Sequence, residues 1–357
     1  MKITNEMKKA IEGLKAIKGD NKIAFEAKNG EMSIMVSSSS CYGVYNTKGD
    51  EEMSLMVNFD HLLRVLSVTK EPEMSMKDNM VFFTEGDSEL TLPVVTSLVN
   101  KLQGKGNPIT LKFKEEDYES LANHTSFAVA KDESRPVFTG VGIKAKNGEV
   151  FAYASNMHKL AHIKVVADVS DNLDMIKILP KEVFGLKPEG DVTMVIYDNA
   201  VSISYGSFNF SFPLIEGTAP NYDAVIPTTN VEMTVSKAEF LGEIQKALLA
   251  SVGKDMNPIQ IYFRSDKIEI YSECNEFGKI HGAMRVSVPA ILQNKRIAFN
   301  GEYLGELKHF NADTFTLATV VNGDSIELSP VKFYNEEEDY TFVVTPVRMK
   351  SWSLDEK

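Results

Sequence analysis

One segment recurs three times at a fixed interval, and any fold for this chain has to accommodate it. Residues 23–36 read IAFEAKNGEMSIMV, 141–154 read VGIKAKNGEVFAYA and 259–272 read IQIYFRSDKIEIYS, with successive starts 118 residues apart. Each is two alternating runs around a polar pair, which predicts two antiparallel strands joined by a tight turn. Asn29-Gly30 and Asn147-Gly148 suit the positive φ of a two-residue hairpin turn, and Ser265-Asp266 is a weaker version of it. A fixed period this long marks a repeated structural unit.

Other landmarks keep the period. NFDHLLRVL from Asn58, LPKEVFGLK from Leu179 and NGEYLGELK from Asn300 start 121 residues apart, and each predicts a short amphipathic helix with a polar or proline start. A strand ending in proline closes each copy, at Pro93, Pro213 and Pro346; the second gap is longer, which predicts an insertion in the acidic stretch from Pro330 to Tyr340. A helix also precedes each hairpin, with apolar spacing at Met7, Ile11 and Leu14, at Tyr118, Leu121 and Ala122, and at Phe240, Leu241, Ile244 and Leu248. The expected fold is α+β: three repeated domains, each of two similar halves with one helix laid on a small sheet. The boundaries fall at 1–107, 108–229 and 230–349, with a tail at 350–357. The junctions GKGNP (104–108) and PTTN (227–230) are short, so the domains should be closely joined.

Composition narrows the function. The 357 residues are 43% hydrophobic and 25% charged, enough to bury real cores. A net charge of −12 argues against gripping nucleic acid by bulk positive charge. Cys41 and Cys274 are the only cysteines, too few for a disulfide framework or a four-cysteine zinc site, which suits a reducing cytoplasm. MKITNEMKKA lacks the apolar core of a signal peptide, and no run reaches the ~20 apolar residues of a membrane span.

Familiar catalytic motifs are weak. The Gly-Lys pairs at Gly104, Gly253 and Gly278 lack the rest of a phosphate loop. Gly140, Gly142 and Ala145 match a loose GxGxxA, but they open a predicted strand rather than a helix, so a pyrophosphate finds no helix N-terminus. His158 and His162 stand four apart, as zinc ligands do on a helix; the Glu of the hydrolase motif is replaced by Lys159, and the segment follows a strand. The run Glu336-Glu337-Glu338-Asp339 reads as a solvated loop. The balance favours a binding or scaffold role.

SRPVFTGV (134–141), ASNMHKLA (154–161), FPLIEGTAPNYDAVIP (212–227), FNGEYL (299–304) and YTFVVTPVRM (340–349) together resemble the bacterial sliding clamps, the β subunits of DNA polymerase III. The resemblance spans the whole chain and is weakest in the first repeat, where SSSSCYG replaces a TDLE-like segment. It implies the DNA clamp fold: three clamp domains per chain, and two chains closed head to tail into a ring, helices lining the hole and sheets outside. The implied partners are a second copy, duplex DNA through the ring, the replicative polymerase, the clamp loader and other proteins carrying short clamp-binding peptides. It implies no cofactor, no metal, no catalytic site and a cytoplasmic, nucleoid-associated protein.

The resemblance also assigns residues. A partner-peptide cleft would use Phe138, Ser155, Met157, His158, Lys159, Leu160, Pro220, Ala224, Val225, Val343, Thr345, Pro346, Val347 and Arg348. An apolar groove with a few polar groups is what anchors a Leu/Phe peptide. Met157 stands where a Gly is usual, Lys159 where an Arg is usual, and Ala224 removes a common cation, so peptide preference should differ from the family's. The candidate DNA-facing cations are Lys8, Lys9, Lys15, Arg64, Lys131, Arg135, Lys181, Lys246 and Lys254; the helix windows 6–18, 58–70, 115–131, 180–187, 236–254 and 300–309 together carry +1 against −13 for the remainder. The dimer seam would set Leu111 and Phe113 against Leu248 and Leu249. The tail KSWSLDEK continues past the usual family end, and its apolar anchors Trp352 and Leu354 leave two alternatives, folding into the cleft of the same chain or of a neighbour, or a disordered tail. Two other readings remain open here: a phage or mobile-element clamp or decoy that competes for clamp partners, and a metal-dependent hydrolase using His158 and His162.

Overall fold

The structure is a computed structural model. It describes the chain except residues 18, 20, 50, 97–98, 100, 251–257, 275–277, 324, 350–351 and 354–357.

The three expected hairpins form. Lys22–Lys28 pairs with Glu31–Ser37, Gly140–Lys146 neighbours Glu149–Ser155, and Pro258–Phe263 pairs with Lys267–Cys274. Asn29 (φ 55°) with Gly30 (φ 82°) and Asn147 (φ 54°) with Gly148 (φ 81°) take the left-handed backbone that their turns require. The third turn manages without positive φ, closed by Arg264 N–H donating to Lys267 O at 2.9 Å.

The helices differ more. α1 spans Asn5–Gly13, α2 Phe59–Val68, α3 Glu115–Thr125, α4 Lys237–Leu249 and α5 Gly301–Gly305. Thr4, Asn58, Ser236 and Asn300 cap four of them through side-chain oxygens. The helix expected after Leu179 is only a 3-10 turn, Lys181–Gly185. Held between Pro180 and the extended Leu186, it is too short for α-helical bonds to propagate.

The described residues fall into two compact units, and the middle repeat is shared between them. Unit 1 comprises Met1–Glu119, Lys144–Glu149 and Val166–Glu216. Its large sheet runs Asp168–Val169, Ile109–Phe113, Val192–Ile196, Ala200–Tyr205, Phe208–Pro213, Tyr42–Lys48, Glu31–Ser37, Lys22–Lys28, Met53–Asn58. The last strand of the second repeat thus pairs with the strand after the first hairpin, Phe208 opposite Tyr45. A separate three-stranded sheet holds Glu73–Lys77, Met80–Glu85 and Ser88–Pro93. The junction after the first repeat is bolted down: Asp198 N–H donates to Lys105 O (2.9 Å), and Lys105 N–H to Asn199 Oδ1 (2.7 Å).

Unit 2 comprises Ser120–Ile143, Val150–Val165 and Gly217–Lys357. Here the strand after the second hairpin, Lys159–Val166, pairs with the last strand of the third repeat, Tyr340–Val344, which continues through Val331–Asn335 and Thr314–Thr319 to Val231–Ser236. A four-stranded sheet runs Gly278–Arg285, Lys267–Cys274, Pro258–Phe263, Arg296–Asn300. The extra residues of the third copy lie at 320–330, between two strands, not in the acidic stretch expected; Val331–Asn335 is a regular strand and 336–339 a tight turn.

Candidate functional site

The site is built on the turn Ser155–Lys159, which joins Glu149–Ser155 to Lys159–Val166. Its short polar side chains replace the missing backbone bonds. Asn156 Oδ1 accepts the N–H groups of His158 (3.0 Å) and Lys159 (2.9 Å), while Ser155 Oγ donates to Lys159 O (2.8 Å) and accepts from Met157 N–H (3.0 Å). Met157 sits at φ 74°, a conformation that suits glycine. This turn fixes His158 O, which accepts both the N–H and the hydroxyl of Thr345, each at 2.9 Å.

Between these elements lies a cavity of about 300 Å³, lined by Phe138, Ser155, Met157, His158, Lys159, Leu160, Pro220, Asn221, Tyr222, Val225, Pro330, Val343 and Thr345. Its floor comes from the strand pairing, where Leu160 stands opposite Val343. Tyr222 is held by stacking on Tyr153 (5.2 Å, 7° between planes), whose hydroxyl donates to Asp223 Oδ1 at 2.9 Å. Val225 and Met157 leave apolar surface exposed at the mouth. Most of the expected cleft residues therefore converge. Ala224, Pro346, Val347 and Arg348 do not line the cavity: Ala224 is exposed beside it, and Val347 N–H is bound to Ala298 O at 2.7 Å. Asn221, Tyr222 and Pro330 were not foreseen; the first two lie inside the segment 212–227, and Pro330 ends the inserted loop.

A second hollow, about 400 Å³, shares Phe138, Met157, His158 and Lys159 with the first. Lys159 is buried there. Its Nζ donates to Phe127 O (2.9 Å), lies 5.1 Å from the Phe127 ring centre and 5.3 Å from that of Tyr303, and faces Glu306 at 3.9 Å. Burial pushes its ammonium below the ordinary lysine range, with Glu306 opposing. Burial works against the Glu306 carboxylate too, but His309, Lys159 and Lys308 outweigh it and hold that group below its usual value. Apolar walls with a few fixed polar groups suit a short peptide with apolar side chains.

Several sequence expectations are corrected. Lys131 and Arg135 line this second hollow, and Arg135 touches Met157 Sδ. Lys8 donates to the carbonyls of Leu66 and Thr69, capping α2, so its charge is committed. Lys15 pairs with Glu12 and Lys246 with Glu243, whereas Lys9, Arg64 and Lys181 are exposed. Lys254 lies outside the described residues. Leu111 and Phe113 are 0% and 2% exposed, inside the unit 1 core, so a seam drawn through their side chains is unavailable. Leu248 packs toward Gly301, and Leu249 remains exposed on α4. Trp352 does not enter the cleft. It is buried against Tyr262, Tyr271 and Ala298, and Leu354 lies outside the described residues. His158 lies in the turn before the strand Lys159–Val166 and His162 within that strand, so the two do not share a helix turn; His162 stacks on Tyr153 at 4.5 Å, and among the described residues no group of three ligand-type side chains could hold a metal. Among those residues, too, no helix is long and apolar enough to cross a membrane.

Comparison with known proteins places the family and the fold. The family described as DNA polymerase III beta subunit, central domain, matches residues 112–221. The beta sliding clamp of Treponema pallidum is 30% identical over 297 residues, 75% of this chain and 79% of that protein. That of Streptococcus pneumoniae serotype 4 is 24% identical over 309 residues, 83% and 80% of the two chains. Among solved structures, the Pseudomonas aeruginosa DnaN sliding clamp bound to griselimycin superposes with a TM-score of 0.86 at 17% identity, covering 98% of this chain and 99% of that one. The Streptococcus pyogenes beta subunit gives 0.85 at 20%, covering 98% and 99%.

Proposed function

Because the chain belongs to the beta sliding clamp family and serves DNA replication as a sliding clamp, we propose that two copies close head to tail into a ring around duplex DNA and tether the replicative polymerase to it. The observation that supports the ring is a pairing made twice within the chain and left open at its ends. The last strand of the second repeat pairs with the post-hairpin strand of the first, and the last strand of the third pairs with the post-hairpin strand of the second. Two strands remain, Ser88–Pro93 and Gly278–Arg285, and each lies at the edge of its sheet.

The opposite edges of those two sheets are covered: Met74 N–H donates to Met1 O, and Ala298 O accepts from Val347 N–H. Open edges seek partners. Asp87 and Glu89 stand at one; Lys279 and Arg285 at the other, Lys279 also 3.3 Å from Glu273 of the neighbouring strand. A head-to-tail dimer sets the acidic edge of one copy against the basic edge of the next, twice, by one two-fold operation. This seam replaces the one through Leu111 and Phe113 and keeps Leu249, since α4 covers the Gly278–Arg285 strand with Glu243 packed over Gly282.

A closed ring holds DNA by topology, so tight phosphate gripping is unnecessary and a chain of net charge −12 can serve. Lys9, Arg64 and Lys181 supply loose positive charge. The cavity at Leu160 and Val343 takes short apolar peptides of the polymerase and the clamp loader. The protein works in the cytoplasm, at the nucleoid, as a processivity factor with no catalytic centre. After loading by its ATP-driven loader on a nicked circular plasmid, it should stay with the DNA through gel filtration and leave once the plasmid is linearised. Equal loss from circle and linear DNA would contradict the ring.

A further inference from the structure

The four-stranded sheet of unit 2 has two unlike faces. Ile259, Ile261, Ile268 and Ile270 point to the side that α4 covers, while Gln260, Tyr262 and Tyr271 alternate with them on the other. That second face is not left to solvent. Trp352 lies on it at 6% exposure, edge-on to Tyr262 (5.8 Å, 75°), with the Arg296 guanidinium 4.5 Å from its ring centre. Ser353 is tied to Gln260 in both directions: its N–H donates to Oε1 (3.0 Å), and its Oγ accepts from Nε2 (2.9 Å).

Two paths lead from this dock to the cleft. Along the chain, Met349 packs on the same cluster and Val347 N–H binds Ala298 O, only two residues beyond the cleft residue Thr345. Across the surface, Arg296 Nε donates to Glu327 Oε1 at 3.0 Å, and Glu327 lies in the inserted loop that supplies Pro330 to the cleft. Thr345 and Pro330 lie one residue beyond the paired Val344 and Val331, Thr345 bonded only to His158 O among the described residues and Pro330 O accepting from the Thr319 hydroxyl at 3.1 Å.

We propose that Trp352 is a positioning residue for the peptide cleft: docked on the Gln260–Tyr262 face, it holds the Thr345 and Pro330 walls at the separation that a bound peptide requires. This rests on reading the cavity as the peptide site. Walls set before binding reduce the ordering that binding must supply. By linkage, a peptide that favours the held walls also favours the docked tail.

The test uses the full chain and a fluorescein-labelled synthetic pentapeptide ending in Leu-Phe, followed by anisotropy. Trp352→Ala and a chain ending at Arg348 should bind about fivefold more weakly or worse, while Trp352→Phe should stay within about twofold of the parent. Trp352 is the only tryptophan, so its fluorescence reports the dock directly; unlabelled peptide should lower its quenching by acrylamide. If Trp352→Ala unfolds, Gln260→Ala, a smaller truncation that frees Ser353 and the Tyr262 hydroxyl, should weaken binding in the same direction. Undiminished or tighter binding by the Arg348-terminated chain or by Gln260→Ala would overturn the proposal alone. No binding by the parent chain would overturn the cleft reading, and this proposal with it.

Discussion

Leu160 and Val343 stand opposite each other across the pairing of Lys159–Val166 with Tyr340–Val344, each 4% exposed and each lining the cavity. One belongs to the second repeat and one to the third, so the site exists only where the repeats share a sheet. Leu160→Ala should cost stability, about 2 kcal/mol, near the low end for a buried leucine because the cavity already borders it. It should also weaken a Leu/Phe peptide about tenfold, a loss of about 1.4 kcal/mol. Urea unfolding and peptide anisotropy on the same protein read the two effects; unchanged peptide affinity would separate the cavity from partner binding.

Met157 at φ 74° holds a backbone that costs an L-residue about 1–2 kcal/mol. Met157→Gly should therefore raise the unfolding free energy, by about 1 kcal/mol once glycine's extra unfolded freedom is counted, and the urea midpoint with it. It also removes a side chain shared by both hollows. Lower stability in the glycine variant would mean that Met157's packing against Arg135 outweighs the strain.

Gly104 faces the Tyr197 ring so closely that an added Cβ would lie 2.3 Å from it. Gly104→Ala should lose about 2 kcal/mol, because ring and linker are both held by the Lys105, Asp198 and Asn199 bonds. Gly185→Ala, where nothing lies within 4 Å of the added carbon, is the matched control and should leave the thermal midpoint almost unchanged.

His124 is 2% exposed, donating from Nδ1 to Ser120 O (2.8 Å) and facing Glu338 at 3.6 Å through Nε2. Burial holds its pKa below the ordinary 6.5; the Ser120 bond and Glu338 oppose. The unfolded chain thus binds a proton that the folded chain refuses, so stability rises with pH up to about 6.5 and is lost as pH falls through and below it. His124→Gln should flatten the thermal midpoint between pH 7 and 5.5. An unchanged slope would assign the acid sensitivity elsewhere.

The hairpins were legible because Asn-Gly turns and period-two alternation are local signals, as at Asn29-Gly30 and Asn147-Gly148. The gathering of Phe138, His158, Leu160 and Val343 was legible only through a family resemblance, because no local pattern brings residues so far apart in sequence together. The pairing of Phe208 with Tyr45 was missed for the same reason. Leu111 and Phe113 looked like edge residues because a strand before a helix does not announce its neighbours; Val192–Ile196 covers one side and Asp168–Val169 the other. Lys8 read as a DNA contact because sequence cannot tell an exposed lysine from one capping a distant helix. Trp352 was rightly read as an anchor, and only its socket was misplaced.

In the proposed ring, Ser88–Pro93 of one copy pairs with Gly278–Arg285 of the next. Light scattering after gel filtration, across a dilution series, tests it most directly. One chain is 39.7 kDa, and the parent should run as a symmetric dimer with a mass of about 80 kDa. Ala283→Pro, which blocks strand pairing at that edge, should give a mass near that of one chain. A parent that stays monomeric at every concentration, or an Ala283→Pro variant that remains a dimer, would contradict it.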